Sequence, residues 1–281
     1  MDDRTERSAA ERQPLAPSRN PQPPAPGIGG AGDGGTFAPA PSLEQEGFAA
    51  AHAAEQNRLL AALPLEEYAR LLPRLTPVRL GLKQVLVEPD VPIRDVYFPR
   101  EGVGSMVAVE QEGDAIEVGT VGPEGFVGLP VLHAADTMPY RVFVQIEGHG
   151  WRLSAEEFRR VVDERPVVRR LLLRYAQYFT DQLAQSVACN RLHTLDERCA
   201  RWLLMTHDRV DGDRFELTHE FLSMMLGVRR AGVTVAMGTL QAADVVRYTR
   251  GRVEVLDRPR LEEASCGCYH ITRTALVQLL G

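Results

Sequence analysis

One stretch, LTHEFLSMMLGVRRAGVTVAMGTLQ from Leu217 to Gln241, constrains this chain most, because it reads as two short helices divided by a single glycine. Thr218 is a good helix N-cap, and Glu220 is placed to satisfy the early amide donors. Phe221, Leu222, Met225 and Leu226 then recur at helical spacing on one apolar face. Gly227 ends that helix, since glycine takes the left-handed conformation that turns a chain between helices, and Val228 packs the corner. A second helix follows over 228–241. Its first turn carries Arg229, Arg230, Gly232 and Thr234, while Val228, Val233, Met237 and Leu240 fall on the opposite, buried side. Guanidinium groups oppose the dipole at a helix start, so two adjacent arginines there point to a task other than helix stability. Readout of the DNA major groove is such a task, because arginine pairs bidentately with guanine from the first turn of a recognition helix. Gly232 costs roughly 1 kcal/mol relative to alanine inside a helix. Close approach to a phosphate backbone would account for it.

The chain has 281 residues, which implies two folded units and a tail. Its net charge of -6 does not by itself indicate nucleic acid, but charge is unevenly placed. Eight arginines stand against five carboxylates from Arg214 to Arg260, a local balance of +3 around the two-helix motif. No run of about twenty apolar residues and no secretory signal occurs, so the expectation is a cytoplasmic protein with no membrane partner. Four cysteines, at 189, 199, 266 and 268, are too few and too scattered for a disulfide framework.

Residues 1–42, with PQPPAPGIGGAGDGG, are too poor in apolar groups to offset ordering entropy and read as a disordered tail. An effector domain is expected over 43–164. Helical patterning runs from Leu43 to Leu75, with a second short helix starting at Pro64. From Val78 to Leu153 the period changes to short strands, VLVEP, DVYFP, GSMVAV, AIEVGTV, YRVFVQI and GWRL, separated by turn residues. Such a series indicates a small antiparallel barrel or jelly roll. A long helix opened by Pro166 occupies 165–191, with Val168, Leu172, Tyr175, Phe179 and Gln182 at heptad-like spacing. The final unit, 192–281, holds a helix over 192–210, the two-helix motif, and VVRYTRGRVEVLD, a hairpin turning at Arg250-Gly251. Arg250 and Arg252 at its tip suit phosphate contacts. A closing helix spans 269–280.

VYFP at 96–99, VGPEGFVGLP at 121–130 and LTHEFLSMMLGVRR with its wing together resemble the Crp/Fnr family of bacterial transcription regulators, over residues 55 to 281. The resemblance implies an α+β chain: an N-terminal cyclic-nucleotide-binding-like β jelly roll, a long dimerisation helix and a C-terminal winged helix-turn-helix. It further implies a homodimer on a two-fold symmetric DNA operator, with RNA polymerase as a partner and a small-molecule effector. A ligand-binding or scaffold protein using its winged helix for protein contacts is the alternative.

Family members that bind cyclic nucleotides use a Gly-Glu pair on the ribose and an Arg-Ser pair on the phosphate. Here the corresponding pocket residues are Gly128, Leu129 and Arg141, with Val142 after the arginine, so the effector is expected not to be cyclic AMP. Oxygen-sensing members hold an iron–sulfur centre on N-terminal cysteines, and the N-terminal half here has none. Cys266-Gly267-Cys268 with His270 offers only three local ligands, whereas closed zinc sites use four. The expectation is therefore no metal, no cofactor and a structural role for this turn. No GxSxG, Walker loop or HExxH is present, and His193, His207 and His219 read as surface or packing residues, so the protein is not expected to be an enzyme.

Overall fold

The computed structural model describes residues 43–109 and 115–280, and Pro41–Gly281 forms one compact unit. The tail expected over 1–42 lies outside the described residues. Three helices open the unit: α1 (Leu43–Ala53), α2 (Arg58–Ala61) and α3 (Leu65–Leu71). Pro64 is the N-cap of α3, as its fixed φ favours. Seven strands follow: β1 (Thr76–Leu80), β2 (Val85–Val87), β3 (Asp95–Pro99), β4 (Val103–Val109), β5 (Ala115–Val121), then, after the short α4 (Leu129–Leu132), β6 (Arg141–Ile146) and β7 (Gly148–Ser154). They form two sheets, β1-β7-β3 and β2-β6-β4-β5, with antiparallel pairing throughout.

The first core joins residues of both sheets to the helices packed around them. Phe98, Phe126, Phe158 and Tyr175 are fully buried there, with neighbouring ring centroids 5.1 to 6.4 Å apart. Burying each such ring contributes on the order of 1.5–3 kcal/mol. Phe158 comes from α5 (Ala155–Glu164), which the strand series did not foreshadow although Ser154 caps it by accepting from the Glu157 amide. Pro166 then opens α6 (Pro166–Leu192), 27 residues and about 40 Å long.

The second core is built on α7 (Leu195–His207), β8 (Arg214–Glu216), α8 (His219–Leu226), α9 (Arg230–Ala242), β9 (Val246–Thr249), β10 (Arg252–Val255), α10 (Arg258–Ala264) and α11 (Cys268–Leu280). Thr194 and Glu197 make a reciprocal capping box at the start of α7. Leu203, Leu222, Val233, Met237, Leu240, Val253 and Leu261 fill this core.

The two cores touch. Phe221 of α8 meets Phe143 of β6 edge-to-face at 6.1 Å, and the Trp202 indole of α7 donates to Glu117 of β5. Arg209, just after α7, pairs with Glu124 at 2.7 Å. The helix-turn-helix is thus seated on the β4–β5–β6 side of the barrel.

Candidate nucleic-acid interface

The turn between α8 and α9 follows from its residues. Thr218 Oγ1 accepts from the Phe221 amide at 3.1 Å, starting α8. Glu220 does not complete a capping box, because Phe221 and not an acidic residue occupies the third helical position; Glu220 is exposed beside Arg230 instead. At Gly227 the backbone takes φ 61° and ψ 43°, and the Gly227 and Val228 amides donate to the Met224 and Ser223 carbonyls. A Cβ at Gly227 would also stand 2.6 Å from Ile116 Cδ1 of β5. Glycine is therefore favoured by the left-handed conformation, and a side chain there would have to displace the end of Ile116.

Val233, Ala236, Met237 and Leu240 anchor α9 in the second core, which turns its other face outward. Arg229 is its N-cap residue and Arg230 its first helical residue, both exposed. Arg230 lies 3.8 Å from Glu220 between two well-exposed side chains, a pairing worth at most a few tenths of a kcal/mol. Thr234 is exposed one turn on, its hydroxyl donating to the Arg230 carbonyl and meeting His219 Nδ1 at 3.1 Å. His219 stacks on Tyr248 at 4.2 Å. Burial, and then the charge of Arg230, hold this imidazole below its ordinary range, so it is neutral at neutral pH.

Gly232 has a different explanation from the one its position suggested. A Cβ there would meet Leu195 Cδ2 at 2.9 Å, so the glycine lets α9 approach α7 rather than a phosphate. Sequence reasoning also passed over Val235, which is exposed beside Thr234 on the outward face. Its signal was a break in the apolar period, because Val233 already occupies the inward position.

In the wing, Arg250 (φ 50°) and Gly251 (φ 81°) are consecutive left-handed residues, as the two-residue hairpin turn between β9 and β10 requires. Leu217 N–H donates to the Gly251 carbonyl at 2.8 Å, which brings the wing tip beside Thr218. Thr218, Arg214, Arg247, Thr249, Arg250 and Arg252 line one shallow concavity there. Arg214 and Arg247 are both held by Glu254 at 2.7 Å, and Arg252 leans on Glu216 at 3.4 Å. Arg250 has no carboxylate partner among the described residues.

The residues of the expected effector pocket lie on α4 and β6. Gly128 takes φ 113° to start α4, and Leu129 packs on the first core. Arg141 sits at the start of β6 with its Nε donating to Glu88 at 2.9 Å, and Val142 points into the core. The heptad residues of α6 need a correction of partner. Val168, Leu172, Tyr175, Phe179 and Gln182 are all buried within this one chain, Leu172 and Phe179 in the first core and Gln182 accepting from the Thr120 amide at 3.0 Å. A Cβ at Gly119 of β5 would stand 2.8 Å from Phe179, so this face of α6 is pressed on the barrel.

The cysteine turn is corrected as well. His270 is exposed and takes no part, but Cys266 and Cys268 are joined by Cys189 and His193 from the end of α6, with all four ligand atoms within 4.8 Å of one another. His207 is held by Asp213 and Arg258.

Two family models match the chain: the cyclic nucleotide-binding domain over residues 77–165 and the Crp-like helix-turn-helix domain over 197–264. The transcriptional regulator SdrP of Thermus thermophilus is 29% identical over 190 residues, covering 64% of this chain and 89% of its own. Among solved structures, FixK2 from Bradyrhizobium japonicum superposes with a TM-score of 0.59 at 16% identity, over 68% of this chain and 98% of that one. A transcriptional regulator of the CRP family, also from Thermus thermophilus, gives 0.56 at 19%, over 67% and 96%. At such identities the structural likeness is one of fold. Among the described residues no helix is long and apolar enough to cross a membrane. With a cyclic-nucleotide-binding-like barrel, a long central helix and a Crp-like helix-turn-helix in this order, the chain belongs to the Crp/Fnr family of DNA-binding transcription regulators.

Proposed function

We propose that the protein binds a two-fold symmetric DNA site as a homodimer and acts on RNA polymerase, under an effector that is not cyclic AMP. One observation carries the DNA reading: the N-terminal end of α9 exposes Arg229 and Arg230 where the helix dipole disfavours positive charge, with Thr234 exposed one turn on. Arg230 and Thr234 meet base edges, Val235 offers an apolar contact for a thymine methyl, and Thr218, Arg250 and Arg252 hold phosphates. Gly232 leaves the contact set because it faces Leu195.

Dimeric readout needs recognition helices about 34 Å apart, so a second copy must be fixed by something rigid. The outward face of α6 supports this role. Leu173, Gln177, Thr180, Ala184 and Val187 are exposed and spaced alternately four and three residues apart, the repeat of a two-helix seam. Signal from the barrel has a short route, because Ile116, Glu117 and Glu124 all touch the DNA-binding half. A ligand that favours one placement of β5 shifts the orientation of α9 by its differential affinity for the two states.

Selection of bound fragments from random DNA tests the reading. A pseudo-palindromic motif with half-sites about one helical turn apart is expected. Absence of any enriched motif would favour a scaffold that uses its winged helix for protein contacts.

A further inference from the structure

The end of α6 and the turn before α11 bring four soft-metal ligands into one place from distant parts of the chain. Cys189 and His193 lie one helical turn apart on one face of α6, His193 being its C-cap residue. Cys266 and Cys268 come from the connection between α10 and α11. Cys189 Sγ is 3.5 Å from Cys266 Sγ, and Cys268 Sγ is 3.4 Å from His193 Nδ1. All three sulfurs belong to buried residues, and His193 is half-buried.

We propose that Cys189, His193, Cys266 and Cys268 bind a single tetrahedral divalent cation of the zinc type, which pins the C-terminal end of the central helix to the DNA-binding domain. Three thiolates and one imidazole are a complete ligand set for a closed structural zinc site. The spacing selects a mononuclear centre. A zinc ion with bonds of about 2.3 Å to sulfur and 2.0 Å to nitrogen places its ligand atoms about 3.5–3.8 Å apart. The separations here are 3.4 and 3.5 Å for two pairs and no more than 4.8 Å for any pair. A cluster of several iron atoms needs its cysteines farther apart. A disulfide between Cys189 and Cys266 would engage two of the four and leave Cys268 and His193 without a role.

Two neighbouring side chains complement a metal–thiolate centre. Gln185 Nε2 donates to Cys268 Sγ at 3.0 Å, the kind of outer contact that orients a metal-bound sulfur. Arg201 is only 8% exposed, and its Nε has no acceptor among the described residues. A buried guanidinium calls for a nearby negative charge, and three thiolates on one divalent cation supply a net charge of about -1. Cys199, buried beside Met237 at 3.7 Å between sulfurs, stands outside the set and serves as an internal control.

Elemental analysis of the full-length protein, loaded with zinc sulfate under reductant and desalted, should find about one zinc per chain. Cobalt in its place should give the visible absorption of a tetrahedral thiolate site. Cys266→Ser combined with Cys268→Ser should lose at least nine-tenths of the metal, and Cys199→Ser should lose none. The double variant carries a risk of misfolding, so a second measurement uses the wild type: titration with a mercurial should release the ion as three thiols react. Less than about a tenth of an equivalent of zinc on the wild type, an octahedral cobalt spectrum, an iron–sulfur chromophore in the purified protein, or full zinc retention in the Cys266→Ser/Cys268→Ser variant would each overturn the proposal.

Discussion

Arg209 and Glu124 form a buried ion pair across the junction of the barrel and the DNA-binding domain, with Nη2 to Oε1 at 2.7 Å and side chains 5% and 3% exposed. Arg209 also donates to the Met205 carbonyl at 2.6 Å, and Glu124 accepts from the Gly122 amide at 3.2 Å, so both charges are well satisfied. Removing one partner leaves the other charged and dry. Arg209→Met is therefore expected to destabilise the protein by about 3–5 kcal/mol in urea unfolding, and Arg209→Met with Glu124→Leu by clearly less. A double-variant loss equal to the sum of the separate Arg209→Met and Glu124→Leu losses would show the two side chains to act independently.

Glu117 makes the neighbouring contact, accepting from the Trp202 indole and from Thr120 Oγ1. Burial raises its pKa above the ordinary carboxylate value, and hydrogen bonds from Ser105, Trp202 and Thr120 only partly oppose this. The folded state therefore holds this proton more tightly than the unfolded chain. The resulting stabilisation is full below the ordinary carboxylate range and is lost as pH rises through the raised value. Glu117→Gln keeps an acceptor for Trp202 and removes the titration, so its stability should fall less than that of the wild type as pH rises from the ordinary carboxylate range to neutrality. Parallel stability–pH curves for the two proteins would contradict the assignment.

How much of this was legible in the sequence depended on how local the cause was. Thr218, Gly227, Pro166 and the Arg250-Gly251 turn act on their own neighbours, and each stands where its chemistry placed it. The heptad pattern of α6 identified a buried face correctly but not what covers it, because a periodicity is the same whether the partner is a second chain or the chain's own barrel. Gly232 shows a related limit. Its cost inside a helix was visible, but its reason, Leu195, lies 37 residues earlier in the chain. The ligand count at the cysteine turn fell short for the same cause: Cys189 and Cys266 are 77 residues apart and meet only when α11 folds back beside α6.

The corrected face of α6 changes what interface variants should do. Leu172→Glu puts a charge in the first core and should destabilise the barrel itself, whereas Ala184→Glu with Val187→Glu charges an exposed stripe, Val187 being 72% exposed in the single chain. The double variant is expected to sediment as a folded monomer with unchanged far-ultraviolet circular dichroism. A dimer that survives it would place the seam elsewhere.

Cyclic AMP should not be the effector. A cyclic phosphate entering a barrel must recover its lost hydration through charge-assisted hydrogen bonds. Leu129 cannot accept from a ribose hydroxyl, Val142 cannot donate, and Arg141 is already engaged by Glu88. Each missing bond to a charged group is worth about 1.5–3 kcal/mol, so losing two weakens a micromolar site about a hundredfold or more. Calorimetric titration should show no saturable micromolar heat. A micromolar isotherm abolished by Arg141→Ala would reveal a working nucleotide site.

Three substitutions separate the parts of the DNA interface. Arg230→Ala removes an exposed guanidinium from the first turn of α9 and should cost about 1–3 kcal/mol per half-site while relaxing preference at one base position. Arg252→Ala, on the wing, should weaken all sequences about equally and reduce the salt dependence by about one phosphate contact. Gly232→Ala brings a Cβ within 2.9 Å of the flexible end of Leu195, so it should alter stability through the packing of α9 on α7 and leave base preference unchanged. Competition binding across a set of single-base operator variants reads all three effects at once. The contact set fails if Arg230→Ala binds every sequence as the wild type does, and the packing role of Gly232 fails if Gly232→Ala changes which base is preferred.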